Sequence, residues 1–189
     1  VDRGAMAVMD GDNAPGPLAA YRMTEKAIEK ARQYGVALVC IRNSNHFVGA
    51  ALYALLAAKH KMLGLAASNT SLCMGTGASS DRAIGNNPWG FAVDSGAGYP
   101  LLLDICNAYA SYGKLAEYAV GGKPIPTTWG MDSQGRPTRS AERVVKGGVP
   151  LPIGGHKGFS IALLVEILTC VLSGGTILDE IAPGGGGSS

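Results

Sequence analysis

The residues of this sequence that could do chemistry sit in three polar islands, each at the edge of an apolar stretch. The first, Asn43-Ser44-Asn45-His46-Phe47, holds one of only three histidines. An imidazole has an unperturbed pKa of about 6.5, so it can give and take a proton near neutral pH. The second, Ser68-Asn69-Thr70, offers hydroxyl and amide groups. The third, Gly154-Gly155-His156-Lys157-Gly158, could hold an anion such as phosphate on backbone N–H groups and an ammonium at a helix N-terminus. Read alone, it is equally a flexible turn with a solvated lysine. Asp104 follows the apolar run Leu101 to Leu103, where it could cap a following helix or accept a hydrogen bond from a ribose hydroxyl. Asp132 reads as an Asx-turn residue and His60 as solvent-facing. On its own, a histidine placed like His46 is more often a structural residue than a proton carrier.

Other signatures fail on physical grounds. Gly75-Thr76-Gly77 starts like a dinucleotide fingerprint, but Ser80 replaces the third glycine and the following residues do not read as a helix aimed at a pyrophosphate. Lys157 lacks the spacing of a phosphate-binding P-loop, and neither HExxH nor GxSxG occurs. Cys40, Cys73, Cys106 and Cys170 are widely separated, which argues against a zinc site and for thiols in apolar surroundings of a reducing compartment. Asn69-Thr70-Ser71 matches a glycosylation sequon with no secretory context.

The elements that must position these islands are legible from periodicity. Residues 18–34 place Ala20, Met23, Ala27, Ala31 and Tyr34 at helical spacing, and Gly35 ends the run. Val36 to Ile41 and Met62 to Ala67 read as strands, with an Ala- and Leu-rich helix over 48–59 between them. Trp89 to Val93 and Leu101 to Leu103 read as a hairpin joined through Ser95-Gly96-Ala97-Gly98. A helix is expected over Asn107 to Tyr118 and another over His156 to Leu172, apolar nearly all round and therefore buried. Hairpin and crossover helices together indicate an α+β fold, with helices layered on a mixed or antiparallel sheet. The expected organisation is a loop or edge segment over 1–17, an α+β domain over 18–155, a buried helix over 156–182 that leads into an incomplete second domain, and a Gly/Ser tail over 183–189.

With 189 residues, 47% of them hydrophobic and 16% charged, the chain can bury a core. A net charge of +2 with scattered Lys and Arg argues against nucleic acid and against an anionic membrane surface. The longest apolar run, Ile161 to Leu172, is shorter than the roughly 20 residues a membrane span needs and contains Glu166. No signal peptide opens the sequence, so the expected location is the cytoplasm.

Taken in order, the motifs resemble the malate/L-lactate dehydrogenase family of non-Rossmann NAD(P)-dependent oxidoreductases. The matching segments are Asn43 to Phe47, Ala67 to Thr70, Ile84-Gly85-Asn86-Asn87-Pro88, Asp104 with Ser111-Tyr112-Gly113-Lys114, Trp129 to Asp132 through Gly135 and Pro137-Thr138, and Gly154 to Gly158. The resemblance implies an α+β domain that binds NAD or NADP without the glycine fingerprint. It implies hydride transfer between the nicotinamide and C2 of a 2-oxo or 2-hydroxy acid, with His46 as the proton donor and acceptor. Ser68, Asn69, Thr70, Asp104, Ile105, Cys106, His156, Lys157 and Gly158 fall where the family contacts its cofactor. Asn45 and Asn87 fall where the substrate is met. A homodimer is implied as well.

Departures from the family pattern qualify this expectation. The sequence starts after the helical segment that carries the family's Ser-His-Gly motif and its carboxylate-binding arginine, and some members assign proton transfer to that other histidine. The family also continues well past Leu172. The sequence therefore reads as a fragment or truncated form, and Asn86 stands where Thr is common. The alternative is a non-catalytic dinucleotide-binding or interaction module that lacks the substrate segment.

Overall fold

The computed structural model describes residues 1–181; Ala182 and the tail expected over 183–189 lie outside the described residues. The first sheet runs β1 (Asp2–Arg3), β2 (Met6–Asp10), β3 (Leu38–Arg42). β1 and β2 are antiparallel, while β2 and β3 are parallel, in register from Met6↔Leu38 to Asp10↔Arg42. The crossover between them is α1 (Gly16–Tyr34). Pro17 suits its first turn, and Gly35 closes it at φ 81°, its N–H bonded to the Ala31 carbonyl. The expectation of a loop or edge over 1–17 is corrected here: β2 is the middle strand. Its partner lies beyond a whole helix, and the surrounding Gly, Asp and Pro obscured a five-residue strand. The buried Lys30 ammonium holds the β1–β2 hairpin onto α1 by donating to the Asp2 carboxylate and, at 2.7 Å, to the Gly4 carbonyl.

The second sheet is antiparallel, β4 (Gly64–Ala67), β5 (Trp89–Asp94), β6 (Pro100–Ile105), as the hairpin reading expected. α2 (Ala50–Lys59) lies on one face of it. Small residues permit that close approach. A Cβ on Gly90 would stand 2.4 Å from the Ala51 nitrogen, and one on Gly64 would stand 2.3 Å from the Ala54 carbonyl oxygen. Ala54, Ala58 and Ala92 fill the contact. These two glycines set the direction of α2: it starts over the Gly90 end of the sheet and runs toward the Gly64 end. The opposite face carries Leu65, Phe91 and Leu103 in one cross-strand row, and Leu65 and Leu103 are exposed.

α3 (Tyr112–Val120) is capped by the Ser111 hydroxyl, which accepts from the Lys114 N–H at 3.2 Å. The helix expected from Asn107 thus begins five residues later. Asn107 to Tyr109 are not helical because they bond to a distant segment: Tyr109 N–H to Leu151 O at 3.0 Å, and Ile153 N–H to Asn107 O at 2.9 Å, with Ala108 bridging Pro152 between them. α3 packs on α4 (Ala141–Val145) around Leu115, Ile125 and Val144. Asp132 builds the Asx turn: its carboxylate accepts from the N–H groups of Gln134 and Arg136, both at 3.0 Å, and from the Arg136 guanidinium. These bonds, the Arg136 backbone N–H first, hold its carboxyl below the usual range.

β7 (Gly130–Met131) and β8 (Val149–Pro150) form a short ribbon that leads to α5 (His156–Glu166), which continues as a π-helical turn over Ile167–Val171. This last helix is not buried all round. Gly158, Ala162, Val165, Glu166 and Cys170 face inward, whereas Leu163, Leu164, Ile167, Val171 and Leu172 are 44–61% exposed. Among the described residues only one face has a partner, although the composition is apolar on every side.

Candidate functional site

The islands converge at one end of the second sheet. Ala67, Trp89 and Ile105 lie side by side there, and the Ser68 N–H bonds to the Pro88 carbonyl at 3.1 Å, so Ser68 to Thr70 leave the sheet beside Asp104 and Ile105, the last residues of β6, and Cys106 after them. α2 starts over Gly90 at this same end, which brings in the loop carrying His46. Gly49, just before α2, would place a Cβ 3.3 Å from Asp104 Oδ2. The bond between Asn107 and Ile153 draws in the turn at Gly154 and hence the start of α5. Thr70 also borders the Cys73 thiol, which Cys106 adjoins.

His46 is exposed on a loop whose ends are fixed. Asn43 (φ 52°) donates from Nδ2 to both oxygens of Asp10 at 3.0 Å, and Asn45 Nδ2 donates to the Asn13 and Ala14 carbonyls at 2.8 and 3.1 Å. The start of α1 sits directly on this loop, since a Cβ on Gly16 would meet the Asn45 and His46 carbonyl oxygens at 2.2 Å. Val48, a β-branched residue at φ 73°, donates its N–H to His46 Nδ1 at 3.3 Å. Such a φ is costly for Val, and strain of this kind collects at functional loops. With Nδ1 accepting, the neutral imidazole carries its proton on Nε2. Phe47 beside it is buried, stacked on Tyr53 at 5.2 Å, and its carbonyl accepts the Tyr53 hydroxyl.

The other expected residues divide by what already holds them. Thr70 Oγ1 donates to Asn86 Oδ1 at 3.2 Å, and its N–H donates to Asn87 Oδ1 at 3.0 Å. Asn69 Nδ2 donates to the Thr176 carbonyl at 3.1 Å, and Ser68 Oγ to the Asn69 carbonyl at 2.9 Å. Asp104 is exposed, its carboxylate at the N-terminal end of α2, where the helix dipole favours a negative charge. It does not cap the next helix, because Ser111 does. Burial holds the Cys106 thiol above its ordinary range, and the thiol donates to the Ala108 carbonyl at 3.3 Å. Ile105 is half-buried opposite Trp89.

At the start of α5 the glycine turn satisfies most of its own donors. Gly155, Lys157 and Gly158 donate to Pro152, Gly154 and Ile153 carbonyls. Gly158 must be glycine, since a Cβ would lie 2.3 Å from the Ile153 carbonyl oxygen. What remains to face a ligand is the exposed Lys157 ammonium and the exposed His156 ring, with no hydrogen bond or ion pair to either side chain among the described residues. The anion reading therefore rests on Lys157 more than on the backbone.

Two of the expected substrate residues have different work. Asn87 is 0% exposed and its amide is fully engaged with Thr70, Ala162 and Glu166, so it shapes the loop and does not meet a substrate. Asn45 ties its loop to residues 13–14, and His46 next to it is exposed. Beneath them lie two residues the sequence reading passed over. Asn107 is buried, accepts from Trp89 Nε1 and donates to the Asn87 carbonyl at 2.6 Å. Glu166 is 4% exposed. A carboxylate inside an apolar run was the available signal for it. An open groove of about 640 Å³ between α3 and α4, lined by Lys123, Arg139 and Arg143 among others, contains none of the expected residues.

The family model described as malate/L-lactate dehydrogenase matches residues 1–188. The chain is 40% identical over 177 residues to a malate dehydrogenase of Pyrococcus abyssi, covering 90% of the chain and 49% of that protein. In structure it is similar to malate dehydrogenase from Entamoeba histolytica, with a TM-score of 0.90, 27% identity and 96% and 54% of the two chains covered. It is also similar to sulfolactate dehydrogenase from Methanocaldococcus jannaschii, with a TM-score of 0.88, 30% identity and 100% and 54% covered. The chain spans about half the length of the relatives it matches.

Proposed function

Starting from the chain's membership of the malate/L-lactate dehydrogenase family, we propose that it carries the nicotinamide-binding and proton-transfer half of an NAD- or NADP-dependent oxidoreductase that interconverts a 2-oxo and a 2-hydroxy acid. The observation that carries this is the meeting of His46, Thr70, Asp104 and the Lys157 turn at one end of the β4–β6 sheet. The donor set suits a dinucleotide bound without a glycine fingerprint: an exposed ammonium for phosphate, an exposed carboxylate for a ribose hydroxyl, and hydroxyl and amide groups between them. Gly75 to Gly77 are followed by bends rather than a helix, which supports a non-Rossmann mode.

When bound, the nicotinamide supplies or accepts the hydride. The chain's own residues do the rest. His46 holds a proton on Nε2, gives it to the carbonyl oxygen during reduction and takes it back during oxidation. Val48 N–H, bonded to Nδ1, keeps the ring in that tautomer. Thr70 and Asn69 sit on a loop fixed by Asn86, Asn87 and Thr176. The apolar run Ala67, Trp89 and Ile105 walls one side and limits water. The substrate is a small carboxylic acid of the malate or sulfolactate kind. The working form is a homodimer in the cytoplasm. Among the described residues, no helix is long and apolar enough to cross a membrane.

Mixing the full-length protein with NADH or NADPH and a panel of 2-oxoacids tests this. Oxidation of one cofactor with one or more acids is the expected result. His46→Asn lowers turnover by about 100-fold or more while leaving the cofactor Kd nearly unchanged. Cofactor binding without turnover on any acid would favour the non-catalytic module instead.

A further inference from the structure

We infer that Glu166 is a positioning residue of the dinucleotide site: through Asn87 it sets the conformation of the Thr70 loop. This rests on the function proposed above. Asn87 and Glu166 are both buried, and a carboxylate in an otherwise apolar helix is costly unless it is fully bonded. It is fully bonded. Glu166 Oε2 accepts from Asn87 Nδ2 at 2.7 Å, and Oε1 accepts from the Leu178 N–H at 3.0 Å and the Cys170 thiol at 3.5 Å.

The two ends of an Asn amide have nearly the same shape, so its partners decide which way it faces. Here Nδ2 also donates to the Ala162 carbonyl at 2.9 Å. With two acceptors on one side, Oδ1 is turned to Thr70, whose N–H it accepts at 3.0 Å. The bond to the Glu166 carboxylate, at 2.7 Å, is the shorter of the two that Nδ2 makes. The loop has no slack to reach the same place otherwise. Asn87 sits at φ 33°, and a Cβ on Gly85 would lie 2.3 Å from Asn87 Oδ1 and 2.5 Å from Thr70 Oγ1. The chain turns π-helical at Ile167, directly after Glu166, and the same carboxylate pins Leu178. Turns of that type are frequent at functional sites. Glu166 thus joins the start of the π turn, the Asn86-Asn87 loop and residue 178 behind Thr70.

The test is a swap. Glu166→Gln has one acceptor oxygen where Glu166 has two, and leaves either Asn87 Nδ2 or the Leu178 N–H facing a donor. It should weaken NADH and NADPH binding by about tenfold and speed hydrogen exchange of the Thr70 amide, while the Leu115 amide in α3 stays protected. Asn87→Asp should do the same. Combining the two returns a carboxylate–amide pair in reverse order, with the carboxylate now at position 87 still able to accept from Thr70 but facing the Ala162 carbonyl, and should recover part of the lost affinity. Losses that simply add, or unchanged affinity in a folded Glu166→Gln variant, would overturn the role of Glu166 and leave the proposed function standing. Failure of the unaltered chain to bind either cofactor overturns both. If neither single variant folds, exchange in the unaltered chain decides: a Thr70 amide as labile as an unbonded one contradicts the inference, and a protected one supports it.

Discussion

His46 and Cys170 show how the same backbone gives ionisable side chains opposite fates. His46 is exposed, with one ring nitrogen fixed by the Val48 N–H. Cys170 is 1% exposed; burial, eased by the Thr169 hydroxyl and reinforced by the Glu166 charge, pushes its thiol from an ordinary 9.0 up to about 12. The raised value fixes the sign of a pH effect. Cys170 contributes its full stability below about pH 9, where the thiol is neutral in both states. Above that the unfolded thiol ionises first, and the contribution is lost as pH rises toward 12. Urea unfolding between about pH 8 and 10.5 should therefore show a steeper loss for the unaltered chain than for Cys170→Ala; parallel curves would contradict this. His46 was visible in the sequence because it is a reactive residue in a polar island. Asn87 was visible too, but its burial was not, since its partners Ala162 and Glu166 arrive from a distant helix.

Elements with local signals agreed with expectation. α1 follows its helical spacing and keeps its Gly35 stop, and β5–β6 forms the hairpin that the Ser95 to Gly98 turn suggested. Elements decided by distant pairing did not. β2 needs β3 across a whole helix, and Asn107 to Tyr109 give up helix for bonds to residues 151–153. The site inherits both kinds, because its islands were readable one by one while their convergence depends on α2 lying on β5. Gly90 is the contact that permits this. Gly90→Ala should push α2 away, cost about 1–3 kcal/mol and lower Tm by roughly 2–10 °C. The His46 loop moves with the helix start, so turnover should fall as well. Differential scanning calorimetry with a turnover assay checks both, and an unchanged Tm would remove the close-packing claim.

At the scale of the molecule, two apolar surfaces stand open among the described residues. The sheet face opposite α2 exposes Leu65 (62%) and Leu103 (47%), and the outer side of α5 exposes Leu163, Leu164 and Val171. The homodimer proposed above would cover the sheet face. Light scattering should return twice the chain mass, and Leu103→Glu should shift it toward the monomer; a monomer that is insensitive to Leu103→Glu would remove the dimer from the account. The central claim, that the end of the β4–β6 sheet binds a nicotinamide dinucleotide through Lys157 and Asp104, is tested most directly by fluorescence titration with NADH and NADPH. Saturable binding of at least one cofactor, weakened about tenfold or more by Lys157→Ala, is the predicted result. No binding, or an affinity indifferent to Lys157→Ala and Asp104→Ala, would contradict it.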